Sequence, residues 1–282
     1  MRTGAHSKVL RTTPGLCGPA ILGGLTTRLG FPAGDAPAAA EGRARVREVL
    51  ASALQATPET FAWCKQVHGG TVVEAKAAGF QGEGDALVSR NPSLGLLISV
   101  ADCIPVLLWD SRTPTAQPAV ETHSAAKNHS TAKNHSTAKN YSAPAFGAAH
   151  AGWRGLVAGV LPATVEALQR LGSAPPDLRA WIGPSICAEH FEVGEEVAEQ
   201  FPERFVQRRD EWPKPHLDLK SYAVHQLREA GLVDNSISVC PDCTYAQAEL
   251  YHSYRRDQGI CGRHLAYLMR SGDTGRVLFR GA

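Results

Sequence analysis

The 282-residue sequence lacks several features that would indicate a function class directly. No apolar run approaches the roughly 18 residues of a membrane-spanning helix, so no membrane partner is expected. The formal net charge is only +2, which is not the strong basic excess typical of nucleic-acid-binding proteins. No glycine-rich phosphate loop of the P-loop or Rossmann type is present, so a nucleotide cofactor is not expected.

The chain also lacks a disulfide framework and a clear targeting segment. Its seven cysteines are an odd number in a long chain, which indicates reduced thiols. The N-terminus faintly resembles a signal peptide, but glycine and proline interrupt it and no clean cleavage site follows. We therefore expect a cytoplasmic protein with a loose N-terminal leader at 1–19 and one catalytic domain at 20–282.

A low-complexity stretch interrupts this domain. Residues 123–140 read HSAAKN, HSTAKN and HSTAKN, a polar repeat with no apolar periodicity. Such a segment cannot bury enough surface to offset its chain entropy, so we predict a disordered insertion at about 111–145. Its histidines could capture a metal ion, but Asn, Ser and Lys give them no fixed geometry. Sequence slippage in a tolerant loop is the simpler explanation.

Strand-like and helix-like patterns are mixed along the rest of the chain. The predicted strands lie at 21–28, 61–67, 71–75, 86–89, 94–100, 105–109, from 146, 178–183, 237–240 and 264–269. The predicted helices lie at 40–54, 155–171, 193–201 and 217–230. Because strict βαβ alternation is absent, we predict an α+β fold, a single domain of mixed β-sheets with flanking helices.

Two local features of this pattern give more specific predictions, a turn and a helix break. The two strands on either side of residues 68–70 show a hairpin-like signal around a His-Gly-Gly turn. The helix at 155–171 has a clear apolar stripe but contains Pro162, which predicts a kink or a restart.

Three short stretches carry the sharpest candidate site, which combines His68, Cys103 and His150. His150 ends a predicted strand beside a glycine turn, and Cys103 lies in a tight kink between two apolar segments. Two imidazoles and one thiolate suit a Zn²⁺ ion that keeps an open position for water. Spacing alone does not identify this set, and loop histidines with a buried thiol remain an alternative.

A rival metal site has better sequence spacing. Cys240, Cys243, Cys261 and His264 form a C-x2-C-x17-C-x2-H pattern that is legitimate for structural zinc. Against this site, Cys240 and His264 lie in predicted strands. Successive side chains of a strand point to opposite faces, which is not the geometry of a compact zinc loop. Whether this set binds a second metal stays open at the level of sequence.

Cys103 is also a candidate nucleophile. A neighbouring histidine could activate its thiol, with Asp85 or Asp102 orienting that histidine, as in a Cys/His hydrolase. Turn chemistry explains both aspartates equally well.

Several arginines near turns or glycines could bind an anionic co-substrate through bidentate contacts. They are Arg28, Arg154, Arg255, Arg256 and Arg263. Singly, each is as readily explained as a solvated surface residue.

Seven motifs occur in the order found in the laccase-domain family, which is also called the polyphenol oxidoreductase-like or purine nucleoside phosphorylase family. They lie at 65–69 (KQVHG), 84–88 (GDALV), 101–106 (ADCIPV), 150–155 (HAGWRG), 182–186 (IGPSI), 191–194 (FEVG) and 253–257 (SYRRD). The chain resembles this family from about residue 21 to residue 270. The resemblance implies one domain with mixed sheets.

The resemblance also implies chemistry. It implies zinc, with copper possible, on His68, Cys103 and His150, and phosphorolysis of adenosine, inosine and methylthioadenosine together with adenosine deamination. Purine nucleoside and phosphate are then the expected partners. Cys103 and Asp85 are the catalytic candidates, with Asp85 as the proton shuttle in deamination. Arg28 and Arg154 are the substrate-binding candidates.

Two departures and two alternatives qualify this expectation. Arg28 is followed by Leu29-Gly30 where the family has Gly-Gly, and the repeat insertion separates Cys103 from His150. Family members have also been described as copper-dependent polyphenol oxidases and linked to editing of peptidoglycan precursors, which would require an amidase. None of the 11 histidines forms a His-x-His pair, so the clusters of a true multicopper oxidase are not expected.

Overall fold

The computed structural model describes residues 10–11, 17–18, 21–28, 40–112 and 143–270. The strands in these residues are β1 Leu10–Arg11, β2 Cys17–Gly18, β3 Ile21–Thr26, β4 Phe61–Lys65, β5 Val72–Glu74, β6 Gly79–Glu83, β7 Ala86–Ser89, β8 Gly95–Val100, β9 Ile104–Asp110, β10 Phe146–Ala151, β11 Leu178–Ile182, β12 Val206–Gln207, β13 His216–Leu217, β14 Ile237–Val239 and β15 His264–Met269. The α-helices are α1 Ala40–Ala53, α2 Trp153–Val157, α3 Val160–Arg170, α4 Glu195–Ala198 and α5 Leu219–Glu229. Within these ranges, no helix has the length and apolar character needed to cross a membrane.

Two mixed sheets carry the architecture. In the first, the strand order is β1-β3-β15-β8-β4-β6, with β2 also paired to β3. In the second, the order is β14-β11-β9-β10-β7-β5, and β12 and β13 form a separate pair. Parallel and antiparallel pairs occur in both large sheets. The predicted single domain of mixed sheets is therefore confirmed.

The two sheets face each other across a shared apolar core. On β8, Leu96 and Ile98 point into this core together with Leu107 of β9 and Phe146 of β10. Leu97 lies between them in sequence and points to the opposite face, where it contacts a different cluster. Because side chains alternate along a strand, a strand buried on both faces must be apolar throughout. This explains why the run at 94–100 is apolar except at Ser99, which is only partly buried.

Helices cover the outer faces of both sheets. Leu50 and Leu54, on and just after α1, pack against Phe61 and Tyr267 of the first sheet. On the other side, α3 and α5 cover the outer face of the second sheet and share its apolar cluster. The flanking helices of the predicted fold are thus confirmed, and the layers run helix, sheet, sheet, helix.

The hairpin predicted around residues 68–70 is wrong. β4 belongs to the first sheet and β5 to the second, so the intervening turn crosses from one sheet to the other. Alternation of apolar residues identifies a strand but carries no information about its partner. The crossing is what places His68, with a φ of 61°, between the edges of the two sheets.

The helix predicted at 155–171 is two helices. α2 ends at Val157, Gly159 has a φ of 74°, and α3 begins at Val160. Pro162 lies in the first turn of α3, where backbone N–H groups have no intrahelical acceptor and proline is tolerated. The break therefore precedes the proline, and the helix predicted at 193–201 shortens to α4.

The predicted insertion enters the fold far from the candidate site. β9 and β10 are antiparallel neighbours, with Trp109 opposite Phe146 at one end and Ile104 opposite Ala151 at the other. The insertion joins the first end, beyond Trp109. Six residue steps of about 3.4 Å lie between Trp109 and Cys103, which is roughly 20 Å along the strand.

Residues 113–142 lie outside the described residues, so disorder of the insertion stays a prediction. The same holds for most of the expected leader. Within it, β1 and β2 pair with β3 and so extend the first sheet.

Leu107→Ala tests the packing between the two sheets. The side chain is fully buried, and its removal leaves a cavity that should lower the free energy of unfolding by about 2–5 kcal/mol. Ile260 is 90% exposed, so Ile260→Ala should change the free energy by no more than about 0.5 kcal/mol. Urea denaturation followed by circular dichroism measures both, and equal effects would contradict the proposed core.

Candidate metal centre

The fold brings His68, Cys103 and His150 together, with their ligand atoms within 4.8 Å of one another. Cys103 immediately precedes β9, and His150 is the penultimate residue of β10. Because these strands are antiparallel neighbours, the start of β9 lies beside the end of β10, and both side chains lie at that end of the strand pair. His68 reaches them from the turn that crosses between the sheets, and its ring meets that of His150 edge-on at 4.8 Å.

Gly152 is required by the close packing of this cluster. A Cβ at this position would lie 2.9 Å from Sγ of Cys103 and 3.3 Å from the His68 ring. Two non-glycine residues at this cluster, His68 and Asp102, also have a positive φ. Such conformations cost free energy and persist only where surrounding contacts hold them.

The buried carboxylate of Asp85 supplies many of those contacts. It accepts hydrogen bonds from the amides of Val67 (3.2 Å), His68 (2.9 Å) and Gly69 (2.7 Å), which fixes the crossing turn. It also accepts one from Nδ1 of His150 at 2.9 Å. Since a carboxylate only accepts, Nδ1 carries the proton and Nε2 is left as the ligand atom.

Without a metal ion, a proton on His150 balances the thiolate of Cys103, and a bound cation would replace that proton at Nε2. Burial opposes ionisation of the Cys103 thiol, but the charges and hydrogen bonds of His150 and His68 outweigh it and lower its pKa to about 6. Burial likewise disfavours the charged form of His150, yet Cys103 and Asp85 raise its pKa to about 9. For Asp85, hydrogen bonds from His150 and the turn amides outweigh burial and keep its pKa below the usual value. A thiolate and two imidazoles are an appropriate ligand set for zinc.

A second buried carboxylate holds the kink at Cys103. Asp102 accepts hydrogen bonds from the hydroxyls of Thr244 (2.5 Å) and Ser253 (2.9 Å) and from the amide of Arg255 (2.7 Å). The sequence offered no signal for this role, because the donors lie more than 140 residues away. Cys103 is thereby tethered to the C-terminal part of the domain.

A cavity of about 970 Å³ opens beside the three ligands. Aromatic side chains form much of its lining, namely Trp63, Phe80, Trp153, Phe191 and Tyr254. Three arginines also line it, namely Arg154, Arg255 and Arg263. Sequence analysis had singled out the arginines but not the aromatic residues, which have no characteristic spacing.

The remaining two candidate arginines do not reach the cavity lining. Arg28 donates from its backbone amide to Leu250 and from its guanidinium to the carbonyl of Ala248. Arg256 donates to several backbone carbonyls and to Asp257. Both therefore hold loops together, and this placement gives no support to Arg28 as a substrate ligand.

The rival zinc pattern at Cys240, Cys243, Cys261 and His264 is not assembled. Both ring nitrogens of His264 are occupied, because Nδ1 donates to the carbonyl of Thr26 and Nε2 accepts from the amide of His252. Cys243 instead lies in a different cluster, which combines it with Cys187 and His190. The C-x2-H spacing of Cys187 and His190 was the available signal, and sequence analysis missed it.

Comparisons with known proteins show the family of this chain. The family model of the multi-copper polyphenol oxidoreductase laccase matches residues 25–119 and 139–271. A purine nucleoside phosphorylase of Deinococcus radiodurans is 38% identical over 246 residues, which cover 84% of this chain and 81% of the relative. A purine nucleoside phosphorylase of Streptomyces coelicolor is 33% identical over 249 residues, with 85% and 86% coverage.

Solved structures share the fold. The crystal structure of YlmD from Geobacillus stearothermophilus has a TM-score of 0.72 and 26% identity, and the match covers 89% of this chain and 92% of that one. The family model and the curated relatives each span most of the chain. The protein therefore belongs to the laccase-like family of multi-copper polyphenol oxidoreductases, and its curated relatives include purine nucleoside phosphorylases.

Proposed function

We propose that the protein is a zinc-dependent purine nucleoside phosphorylase that acts on adenosine, inosine and methylthioadenosine and also deaminates adenosine. The observation that carries the proposal is the cavity, where a His/Cys/His cluster, three arginines and several aromatic side chains share one lining. The names of the curated relatives support the same reaction class.

The two substrates call for different parts of the lining. A purine base presents flat apolar faces, which the aromatic side chains can stack against. Phosphate requires cationic donors, and a guanidinium provides paired N–H groups that match its oxygens. The Arg154 guanidinium lies over the Trp153 ring at 4.3 Å, so one arginine is already positioned beside an aromatic wall.

The proposed reaction is a displacement at the anomeric carbon. A phosphate oxygen forms a bond to the anomeric carbon while the bond between that carbon and the purine nitrogen breaks. The purine leaves with the electron pair of the broken bond and takes up a proton. The products are the free base and the 1-phosphate of the sugar, which is ribose 1-phosphate from adenosine and inosine and the methylthio sugar 1-phosphate from methylthioadenosine. Arginines that hold the phosphate oxygens would orient the nucleophile, and a fixed orientation removes part of the entropic barrier.

His68, Cys103 and His150 would hold the metal. Zinc fits the two imidazoles and the thiolate, copper is a possible substitute, and the bound ion supplies Lewis acidity to the cavity. We assign Asp85 a positioning role, because its two oxygens already accept four N–H donors. This replaces the proton-shuttle role that sequence analysis considered.

One alternative has a specific observation in its favour. Cys103, His150 and Asp85 form a consecutive thiol, imidazole and carboxylate array, which is also the arrangement of a Cys/His hydrolase. An amidase that edits peptidoglycan precursors would use it. A polyphenol oxidase with a three-copper centre would need a cluster of histidines. In the part of the chain that the structure describes, no three histidines form such a cluster.

His150→Ala tests the main proposal. Loss of one ligand should remove the metal from this site and lower phosphate-dependent release of hypoxanthine from inosine by at least about 100-fold. His225 lies outside the cavity, so His225→Ala should retain both properties. Metal analysis and a coupled assay of hypoxanthine measure the outcome.

Three results would contradict the proposal. They are equal phosphorolysis by wild type and His150→Ala, hypoxanthine release that does not require phosphate, and amide cleavage that is lost when Cys103 is alkylated in the metal-loaded protein. The last of these would favour the amidase.

Asp85→Asn tests the positioning role. An amide cannot accept from all four donors, so His150 and the crossing turn should lose their fixed orientation, and zinc affinity should fall about 10- to 100-fold. Asp110 is also a buried carboxylate, but it binds Arg112 and Ser173 away from the site. Asp110→Asn should lower thermal stability without changing zinc affinity. Competition with a chromogenic chelator measures the affinity, and the same loss in both variants would argue against a specific role.

Arg154→Met tests the phosphate site. Removal of a charge-assisted contact should raise the KM for phosphate by about 10- to 100-fold while the KM for inosine changes little. Arg170 is an exposed arginine of α3 paired with Glu166, so Arg170→Met should leave both constants unchanged. Steady-state kinetics with each substrate varied provides the measurement. An increase confined to the inosine KM would place Arg154 at the nucleoside instead.

A further inference from the structure

A second cluster of thiol and imidazole groups lies outside the cavity lining. Sγ of Cys187 is 3.1 Å from Nδ1 of His190, and Sγ of Cys243 is 3.8 Å from the same nitrogen. All three ligand atoms lie within 4.8 Å of one another. None of the three residues belongs to the cavity beside the first cluster.

These distances match tetrahedral coordination. Zinc–sulfur bonds of about 2.3 Å and zinc–nitrogen bonds of about 2.0 Å put ligand atoms roughly 3.5–3.8 Å apart around a tetrahedral ion. The two sulfur–nitrogen separations of 3.1 and 3.8 Å lie on either side of this range, so a cation fits with small shifts of the side chains. Cys187 and His190 are only partly buried, which leaves a side open for a fourth ligand from solvent.

The fold holds the three ligands on two adjacent segments. β11 and β14 are parallel neighbours, and the chain leaves each of them on the same side, so residues 185–190 and 243–245 meet there. Ser185 forms a bridge with Cys243, and the amide of Cys187 donates to Sγ of Cys243 at 3.3 Å. The His190 ring stacks on Tyr245 at 4.4 Å, which fixes its orientation.

We propose that Cys187, His190 and Cys243 form a second, structural metal site that binds a thiophilic divalent cation such as zinc. The ion joins the segment after β11 to the segment after β14. Both thiols bind as thiolates and release their protons to solvent on coordination.

The second site is connected to the first through Asp102. The amide of Ile186 donates to the Asp102 carbonyl, and the hydroxyl of Thr244 donates to its carboxylate. Each of these residues is the immediate neighbour of a ligand of the second site, and Asp102 immediately precedes Cys103. The second ion therefore stabilises the scaffold from which Cys103 reaches the first.

A reactive thiol is a poorer explanation of the same cluster. Nδ1 of His190 is shared by two thiols, at 3.1 Å from Sγ of Cys187 and 3.8 Å from Sγ of Cys243, whereas an activated nucleophile pairs one thiol with one base. The hydrogen bonds of Lys220 to the carbonyls of Cys240 and Asp242 instead fix the loop that precedes Cys243. The contacts around the cluster fix the positions of its side chains and do not activate a thiol as a nucleophile.

Metal stoichiometry of the full chain tests the proposal. Wild type saturated with zinc and then freed of excess should hold two ions, one for each cluster. Cys187→Ser and Cys243→Ser should each hold one. Cys240→Ser and Cys261→Ser, which alter the other two cysteines of the C-x2-C-x17-C-x2-H pattern, should still hold two. His150→Ala should lose the ion at His68, Cys103 and His150 but retain the ion at the second site. Failure of the proposed function can therefore be distinguished from failure of the second site.

A second measurement does not depend on the folding of any variant. In wild-type protein, zinc should slow alkylation of Cys187 and Cys243 relative to the chelator-treated sample, as read by peptide mass spectrometry. The proposal is overturned by a single zinc ion in saturated wild type, by two ions in Cys243→Ser, by equal alkylation with and without zinc, or by a Cys187–Cys243 disulfide in the purified protein.

Discussion

The buried carboxylate of Asp85 is the interaction on which the candidate centre depends. An ionised carboxylate without water is costly unless its oxygens are satisfied, and here three amides and one imidazole satisfy them. The three amides belong to the turn that crosses between the sheets, and the imidazole belongs to β10 of the second sheet. The backbone joins the same elements, since the amide of His150 donates to the Asp85 carbonyl at 2.7 Å. One side chain thus sets the position of two of the three ligands.

Asp102 plays the corresponding part for the third ligand. It has a positive φ, it is buried, and its oxygens are satisfied by donors from the C-terminal part of the domain. The two aspartates therefore connect the crossing turn, the β9–β10 pair and the segments around residues 244 and 255. The same segments supply Arg255 and aromatic walls to the cavity, so the metal ligands and the proposed substrate contacts share one scaffold.

The family description names several copper ions, and the clusters of candidate metal ligands in this chain can be compared with it. The model that matches it describes a multi-copper polyphenol oxidoreductase, while the curated relatives carry the name purine nucleoside phosphorylase. The described residues assemble two mixed thiol and imidazole clusters, each of a size for one ion. A mixed set of this kind with an adjacent cavity is suited to Lewis acid chemistry on a bound substrate. The phosphorylase is the reaction class that the site supports best.

The sequence by itself determined most of the longer strands and helices and, through the order of its motifs, singled out the set His68, Cys103 and His150. Strand and helix patterns are local, because apolar alternation and helical periodicity depend only on neighbouring residues. Spacing between cysteines failed for the same reason: it records distance along the chain and nothing about partners. The pattern that ends at His264 is regular, yet both nitrogens of that ring bind backbone groups.

Only the tertiary structure decided which groups meet. Because β11 and β14 pair in parallel, Cys243 lies beside Cys187 and His190. Because the turn after β4 crosses between the sheets, His68 lies at the adjacent ends of β9 and β10. It also separated the arginines, placing Arg154 in the cavity and Arg28 against backbone carbonyls. Such pairings are long-range, since they are selected by the packing of the two sheets as a whole, and no short stretch of sequence encodes them.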